Sequence, residues 1–232
     1  LYQSADALLA LTHAEKALLA SLGVDDRRVH VVGMGPILAE RANPEGFRRS
    51  HAISSPIVLF LGQHFTYKGY RQILEAAPSV WRRVPEACFV FVGPPVGNSE
   101  AVIDSLNDPR VKRLGLLSLQ EKTNALAACD VLCVPSEQES FGGVYAEAWS
   151  FGKPVIGCPI PAVSEVVAHG RDGLLVAQEA GPISDALCQI LLTPSLAGQL
   201  GEAGRQKVAA MYNWEHTSRA AEQAYQSVLA GR

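Results

Sequence analysis

The chain of 232 residues is 48% hydrophobic and 19% charged, so it can bury a substantial core, and wholesale disorder is excluded. It carries 20 basic against 23 acidic residues, a balance that argues against a nucleic-acid partner. Its five cysteines and six histidines are scattered and form no metal-binding motif, so we expect reduced thiols in a cytoplasmic protein and no bound metal. No stretch is apolar for long enough to cross a bilayer. Because the first residue is Leu1 rather than methionine, we expect a fragment of a longer protein.

Two strands and one helix are predicted at the start of the chain. Residues 6–11 form a short apolar stretch, and Thr12-x-x-Glu15 after it has the form of a capping box that opens a helix ending near Gly23. Residues 29–32 predict a second strand. The segment 36–55 is polar and contains proline, glycine and several arginines, which is typical of a linker or surface excursion.

A regular alternation of strands and helices is predicted for most of the remaining chain. Strands are predicted at 57–61, 88–92, 111–117, 131–134, 154–156 and 174–176, and helices at 69–81, 99–106, 118–128 and 141–152. The end of the chain is predicted to be helical, with breaks at Pro182 and Pro194 and a final helix over 214–229. This alternation predicts an α/β fold with a doubly wound parallel sheet flanked by helices.

The stretch 131–157 has the pattern strand, loop, helix, strand. Its loop carries Glu139, and Gly142-Gly143 opens the helix that contains Glu147. Glycine costs roughly 1 kcal/mol against alanine inside a helix, so we interpret the pair as bare backbone for an anion attracted by the helix dipole. Glu147, about one turn further on, could then reach hydroxyl groups beside that anion. An anion that carries hydroxyls indicates a nucleotide or a sugar phosphate.

Both glutamates also have a simpler interpretation. Glu139 could close a capping box with Ser136, but Pro135 before it disfavours a helix there. Ser140 is the better N-cap, which predicts that Glu139 points out of the loop above the sheet. Glu147 could be a solvated helix residue, but its apolar neighbours indicate that it faces something specific.

Lys68 stands directly before Gly69, where a helix is predicted to begin beyond the strand 57–61. A lysine at a helix N-terminus is unfavourable by some tenths of a kcal/mol. A bound phosphate would reverse the sign of that interaction and make the position favourable. The alternative is a solvated loop lysine.

The residues of this stretch resemble the Glu-x7-Glu signature of retaining nucleotide-sugar glycosyltransferases of family 4, also called group 1. They are Pro135-Ser136, Glu139-Ser140-Phe141-Gly142, Glu147-Ala148 and the run 152–156. Further matches follow the order that the family shows: Gly62 with Lys68-Gly69, the run 127–135, Glu165 and the run 172–176. The resemblance therefore covers nearly the whole chain.

The resemblance implies a GT-B architecture, in which two Rossmann-like domains face each other across a cleft. Residues 56–212 would be the C-terminal domain, which binds the nucleotide-sugar donor. Residues 1–35 would be the last part of the N-terminal, acceptor-binding domain, with 36–55 as the linker. Residues 213–232 would form a helix that crosses back to the N-terminal domain.

The resemblance also implies roles for individual residues. Glu147 would hold the ribose hydroxyls of the donor, and Glu139 would lie beside the donor sugar as a catalytic residue. Lys68, also catalytic, would neutralise the diphosphate together with the N–H groups of Gly143 and Val144. The remaining implied donor contacts are Gly62, Gln63, Leu116, Ser140, Phe141 and Gly142.

Two positions depart from the family pattern. Gln63 stands where the family usually has an arginine beside the diphosphate, which removes one positive charge unless Arg71 replaces it. Pro159-Ile160-Pro161 replaces the glycine pair that usually precedes Glu165, which could alter how that loop meets the sugar.

The implied reaction is transfer of a sugar from a nucleoside-diphosphate sugar to an acceptor, with retention of the anomeric configuration and without a metal or other cofactor. The alternatives are a sugar-nucleotide epimerase or phosphorylase on the same architecture, and a non-catalytic nucleotide-sugar-binding domain, which Gln63 favours. The acceptor would bind through the missing N-terminal domain, so we expect this fragment alone to be inactive. Any peripheral membrane association would belong to that missing part.

Overall fold

The structure is a computed structural model that describes residues 2–230. It begins with a small layer in which two parallel strands, β1 (Leu8–Ala10) and β2 (Val29–Val31), are connected through a helix, α1 (His13–Ser21). Thr12 caps this helix, because its side-chain oxygen accepts a hydrogen bond from the Glu15 N–H at 3.1 Å, as the capping pattern predicts. Two strands are too few to be stable alone, so this layer depends on the rest of the chain.

Six further strands, all parallel, form the main sheet. They are β3 (Ile57–Leu61), β4 (Cys88–Val92), β5 (Val111–Gly115), β6 (Val131–Cys133), β7 (Val155–Gly157) and β8 (Leu174–Leu175), in the spatial order β5-β4-β3-β6-β7-β8. The winding direction reverses beside β3, where Val58 pairs with Phe89 of β4 on one side and with Val131 of β6 on the other. Ligands of such sheets bind outside the carboxyl ends of the strands at this switch point. The order confirms the predicted doubly wound α/β fold.

Strands β3 and β4 are buried at every residue because their sequences, IVLFL and CFVFV, are apolar throughout. Continuous apolar runs of this kind are typical of a parallel sheet that is covered by helices on both faces. The helices after α1 are α2 (Pro44–Ser50), α3 (Tyr70–Trp81), α4 (Ser99–Asp104), α5 (Leu119–Ala128), α6 (Gly143–Trp149), α7 (Pro161–Val166), α8 (Ala180–Leu192), α9 (Pro194–Ala210) and α10 (Trp214–Ala230).

The helix boundaries follow local sequence signals in two of three tested cases. The capping box at the start of α5 is confirmed, since Ser118 and Glu121 exchange side-chain and backbone hydrogen bonds. The break at Pro194 is also confirmed, because this proline is the first residue of α9. The break predicted at Pro182 is wrong. Pro182 lies in the first turn of α8, where the backbone N–H has no helical acceptor and a proline is tolerated.

The segment 36–55 is more than the predicted linker, because it contains α2. Asn43 caps this helix, and Phe47 buries its ring in the main core. Arg48 adds a hydrogen bond from Nη2 to the Ala128 carbonyl oxygen at 2.7 Å. The segment is polar on average, so its composition does not predict this packing. One buried aromatic side chain is enough to dock a helix of seven residues.

The final helix, α10, lies against the N-terminal layer and contacts β2. Its Ala224 is buried, and the Trp214 Nε1–H donates to the Pro36 carbonyl oxygen at 2.8 Å. Tyr225 of this helix is exposed. Across residues 2–230, every helix is too short or too polar to span a bilayer.

Candidate active site

Two loops, which follow β3 and β6, meet where the winding of the sheet reverses. The Glu137 N–H donates to the Tyr67 carbonyl oxygen at 2.8 Å. Gln178 Nε2 donates to the carbonyl oxygens of Tyr67 at 2.8 Å and Pro135 at 2.7 Å. Gly69 has a φ of +84°, and a Cβ at this position would lie 2.7 Å from Pro135 Cγ. The absence of a side chain at residue 69 therefore allows the two loops to close on each other.

Lys68 and Glu139 form an ion pair between these loops. Lys68 ends a short 3-10 turn, Thr66–Lys68, and its Nζ lies 2.5 Å from Glu139 Oε1. The side chains of Lys68 and Glu139 are 19% and 12% exposed. The sequence predicts that Glu139 points out of its loop. In the structure its carboxylate instead lies against the ammonium group of Lys68. The structure brings together the two residues that were predicted to be catalytic.

Helix α6 begins at Gly143, and its N-cap is Gly142 rather than the predicted Ser140. Gly142 has a φ of +76°, and a Cβ there would lie 2.4 Å from Tyr145 Cε2. The prediction for Ser140 is wrong because this left-handed turn carries the chain into the helix two residues later. Ser140 itself is exposed, and its carbonyl oxygen accepts a hydrogen bond from Thr12 Oγ1 at 2.9 Å.

The N-terminal layer is attached beside the loop that carries Glu139. The Glu165 carboxylate accepts hydrogen bonds from the N–H groups of His13 at 2.9 Å and Ala14 at 3.1 Å, at the start of α1. A groove of about 400 Å³ lies between α1 and the loop. Its walls include Glu15, Leu18, Glu139, Ser140, Ile160 and Pro161. Ile160 and Pro161, which depart from the family pattern, therefore line the same groove as Glu139.

The first turn of α6 contains the backbone N–H groups of Gly143 and Val144, at a position where a helix supplies no acceptor. Met34 lies near this turn, since its Sδ would be 3.2 Å from a Cβ at Gly143. Phe141 contributes no side chain to the cleft. Its ring is buried and packs edge-on against Tyr212, with 5.0 Å between ring centroids. Only the backbone of Phe141 could contact a ligand.

Glu147 lies inside α6 and is enclosed rather than solvated. Its side chain is 7% exposed, and Oε1 lies 2.6 Å from Nζ of Lys122 in α5. Burial raises the pKa of Glu147 above its usual value, and the hydrogen bond and charge of Lys122, together with the nearby backbone of Ile37, act against that rise. The other carboxylate oxygen, Oε2, is buried and has no hydrogen-bond partner within the described residues. Glu147 therefore faces a specific group, as predicted, and in the structure this group is Lys122, for which the sequence contains no signal.

A cavity of about 130 Å³ adjoins Lys122. The predicted donor contacts Gly62, Gln63 and Leu116 all line it. Gly93 also lines it. Its φ is +134°, and a Cβ there would lie 2.0 Å from the Gly62 carbonyl oxygen. Only glycine allows the loops after β3 and β4 to approach this closely.

The missing arginine is not replaced by Arg71 in the structure. Gln63 is exposed, and Nη2 of Arg71 donates to Asn98 Oδ1 at 3.2 Å, in the loop after β4. Lys68 therefore supplies the positive charge beside Glu139. Among residues 2–230, no group of three or more His, Cys, Asp or Glu side chains is placed to hold a metal ion.

Fold and site together define the class of the protein. The parallel sheet in the order β5-β4-β3-β6-β7-β8, with a small two-stranded parallel layer beside it, forms one Rossmann-like domain of the GT-B type of architecture, which in full has two such domains. A family model for glycosyl transferases group 1 matches residues 55–193. The chain belongs to this family.

The chain is similar to a D-inositol 3-phosphate glycosyltransferase of Corynebacterium urealyticum, with 32% identity over 97% of this chain and 57% of the relative. It thus spans just over half the length of that relative. Sucrose-phosphate synthase of Thermosynechococcus elongatus superposes with a TM-score of 0.83 and 26% identity, over 100% of this chain and 60% of that one. Anabaena Alr3699/HepE in complex with UDP-glucose shares the fold, with a TM-score of 0.83 and 17% identity over 99% and 65% of the two chains.

Proposed function

We propose that this chain is the donor-binding part of a glycosyltransferase that transfers a sugar from a nucleoside-diphosphate sugar to an acceptor with retention of configuration. One observation carries the proposal. Two Lys–Glu pairs, Lys68–Glu139 and Lys122–Glu147, lie around the start of α6 at the switch point of the sheet. A donor of this class needs a cation for its diphosphate and a carboxylate for its ribose, and this site offers both.

Lys68 would bind the diphosphate. Its ammonium group contacts the Glu139 carboxylate, an anion in the place that a phosphate oxygen would take. Negative charge grows on the leaving diphosphate as the bond from the sugar to phosphate breaks. A cation held in a partly dry site stabilises that charge, and the N–H groups of Gly143 and Val144 would add to the field. Glu139, released from Lys68, would lie beside the donor sugar.

Glu147 would accept hydrogen bonds from the ribose hydroxyls. Its Oε2 is buried without a hydrogen-bond partner in the part of the chain that the structure describes, and such an atom costs roughly 1–3 kcal/mol until it is paired. The backbone of Ile37 lies beside this pair, since its carbonyl oxygen accepts a hydrogen bond from Lys122 Nζ at 2.7 Å. Because Oε2 is enclosed, the ribose would reach it only after a local movement of neighbouring groups, such as the backbone around Ile37.

Family membership and the 32% identical relative, which is named a glycosyltransferase, support glycosyl transfer. The solved structure of the same fold with UDP-glucose makes a nucleotide sugar the donor class to test first. The acceptor would bind through the part of the protein outside this chain, so the chain alone would bind donor without transferring sugar. The five buried free cysteines support a reducing, cytoplasmic location, and membrane association of the whole protein would be peripheral.

A non-catalytic nucleotide-sugar-binding domain is the second candidate. It is favoured by the exposed Gln63, which leaves the diphosphate position with one cation, Lys68. The two candidates differ in turnover by the full-length protein, not in donor binding.

The test begins with calorimetric titration of the chain with UDP, GDP and ADP. We expect saturable binding of at least one nucleotide, and at least a tenfold loss of affinity in Glu147→Ala, because a hydrogen bond to a charged group contributes about 1.5–3 kcal/mol. Glu75→Ala, which removes an exposed glutamate of α3, is the matched control and should bind like wild type. Equal affinity in Glu147→Ala would remove Glu147 from the site. Turnover and product anomer, followed by NMR with the full-length protein, then test transfer and retention.

A further inference from the structure

The Lys122 ammonium group has more hydrogen-bonding capacity than the protein uses. A lysine ammonium carries three donors and no acceptor. One donor is taken by Glu147 Oε1 at 2.6 Å and a second by the Ile37 carbonyl oxygen at 2.7 Å. The side chain of Lys122 is 21% exposed, and it lines the 130 Å³ cavity between the loops after β3, β4 and β5. The third donor is thus available to a molecule in that cavity.

The rest of the cavity is chemically simple. Leu61, Val92, Leu116 and Leu117 supply apolar surface, and Gly62 and Gly93 bring bare backbone close to it. An apolar slot with a small number of directed polar groups suits a flat heterocycle. Lys122 is the residue of this lining that carries a formal positive charge.

The pair with Glu147 is also incomplete on the acidic side. Glu147 Oε2 is buried and lacks a partner within residues 2–230. A purely structural ion pair between α5 and α6 would be expected to satisfy both charged groups, because an unpaired buried polar atom is costly. Here one ammonium N–H and one carboxylate oxygen of the same pair form no hydrogen bond with the described residues, although the Ile37 backbone lies near the carboxylate. A nucleoside offers a matching arrangement, with a base acceptor close to ribose hydroxyl donors.

We propose that Lys122 is a specificity-determining residue of the donor site, whose free N–H hydrogen-bonds a carbonyl oxygen of the nucleotide base. This inference rests on the proposed function, since it assumes a donor nucleotide with its ribose at Glu147. Uracil and guanine present carbonyl oxygens, whereas adenine presents an amino group, itself a donor, where guanine has its O6 acceptor. Adenine also has acceptors, but only its ring nitrogens, so a lysine N–H aligned with a carbonyl oxygen favours UDP or GDP over ADP.

The experiment compares wild type with Lys122→Met by calorimetric titration with UDP, GDP, ADP and inorganic pyrophosphate. In wild type we expect UDP or GDP to bind about tenfold or more tightly than ADP. Lys122→Met keeps a side chain of similar length but removes the hydrogen-bond donors of the ammonium group, so this variant should lose most of that preference. Its affinity for pyrophosphate, which has no base or ribose, should remain unchanged. Lys112→Met, on strand β5, is the matched control and should keep the preference.

A second pair of ligands separates base contact from an effect through Glu147. If Lys122 only positions Glu147, Lys122→Met will weaken UDP, GDP and ADP by the same factor and will erase the difference between UDP and 2′-deoxy-UDP. That result would overturn the proposal. Lys122→Arg, which keeps a cation beside Glu147, provides a variant for the case in which Lys122→Met does not fold, and it should retain a preference for carbonyl-bearing bases.

The outcomes also separate this inference from the proposed function. Tight binding of ADP by wild type, or an unchanged preference in a folded Lys122→Met, overturns the role of Lys122 and leaves a nucleotide site in place. Failure of wild type to bind any of the three nucleotides overturns both.

Discussion

The two glutamates of the Glu-x7-Glu motif each pair with a lysine, but the two pairs are built differently. Lys68–Glu139 joins two loops, beyond the ends of β3 and β6, and lines a groove of about 400 Å³ through Glu139. Lys122–Glu147 joins two helices, α5 and α6, and adjoins the smaller cavity of about 130 Å³. A pair between loops can exchange partners with little rearrangement, whereas a pair between packed helices holds its geometry.

This difference suits a division of labour between the two pairs. Under the proposed function, the loop pair would stand where charge develops as the donor breaks, so its lysine would exchange a carboxylate for a phosphate. The helix pair would hold the part of the donor that does not react. An incompletely paired buried carboxylate on a helix is a fixed acceptor, which is what a binding contact requires.

Breaking the helix pair should have the largest effect on stability. Glu147→Ala leaves Lys122 without its carboxylate, and we expect a loss of about 2–3 kcal/mol in the free energy of unfolding. This figure is below that for a fully enclosed pair because 21% of the Lys122 side chain is exposed. Glu139→Ala should cost less than about 1 kcal/mol, since Lys68 can turn to water. Urea unfolding of both variants measures the contrast, and equal losses would show that the two pairs do not differ in this way.

Breaking the loop pair should have the largest effect on anion binding. Lys68→Ala should weaken pyrophosphate and every nucleoside diphosphate by roughly 10–100-fold, because a hydrogen bond to a charged group contributes about 1.5–3 kcal/mol. Lys16→Ala, which removes a lysine paired with Asp26 away from the site, is the control for net charge. If only nucleotides, and not pyrophosphate, lose affinity, Lys68 does not bind the diphosphate.

The turn between the two glutamates should tolerate no side chain. Gly142→Ala places a Cβ 2.4 Å from Tyr145 Cε2 at a φ of +76°, and we expect a cost of about 1–3 kcal/mol. Gly170→Ala is a matched control, because its φ is +75° but a Cβ meets nothing within 4 Å. In thermal unfolding, Gly142→Ala should lower the midpoint temperature further than Gly170→Ala does. Equal shifts would mean that backbone strain alone, and not contact with Tyr145, limits residue 142.

The smallest expected effect is a pH dependence of stability that comes from Glu147. Burial raises the pKa of this carboxyl above its ordinary value of 4.5, so the folded chain binds the proton more tightly than the unfolded chain does. The stability that this proton contributes is present below about pH 4.5 and is lost as the pH rises through the folded-state pKa.

Urea unfolding between pH 4 and pH 7 provides the measurement. Wild type should lose stability relative to Glu147→Gln as the pH rises, because glutamine does not titrate. Glu75→Gln, in exposed surroundings on α3, should run parallel to wild type. A wild-type curve that instead gains stability relative to Glu147→Gln would reverse the sign assigned to Glu147.

Much of the fold follows from local sequence. The runs IVLFL and CFVFV predict buried parallel strands because every position is apolar, and Ser118 and Glu121 mark the start of α5 through their own hydrogen bonds. Glu139 and Glu147 are predicted as site residues because their motif is contiguous, and that prediction remains to be tested. In each case the pattern lies within a short stretch of chain, so it can be recognised without knowing which residues are neighbours in the folded structure.

Only the tertiary structure decided which side chains the two glutamates pair with. Lys68 meets Glu139 across 71 positions and Lys122 meets Glu147 across 25, because loops and helices distant in sequence dock at one edge of the sheet. Gly93 reads as a turn glycine until the Gly62 carbonyl oxygen is placed against it. Lys122 carries no local signal at all, since a lysine on a helix is ordinarily solvated. Its role depends on the packing of α5 against α6 beside a cavity, which no periodicity in the sequence encodes.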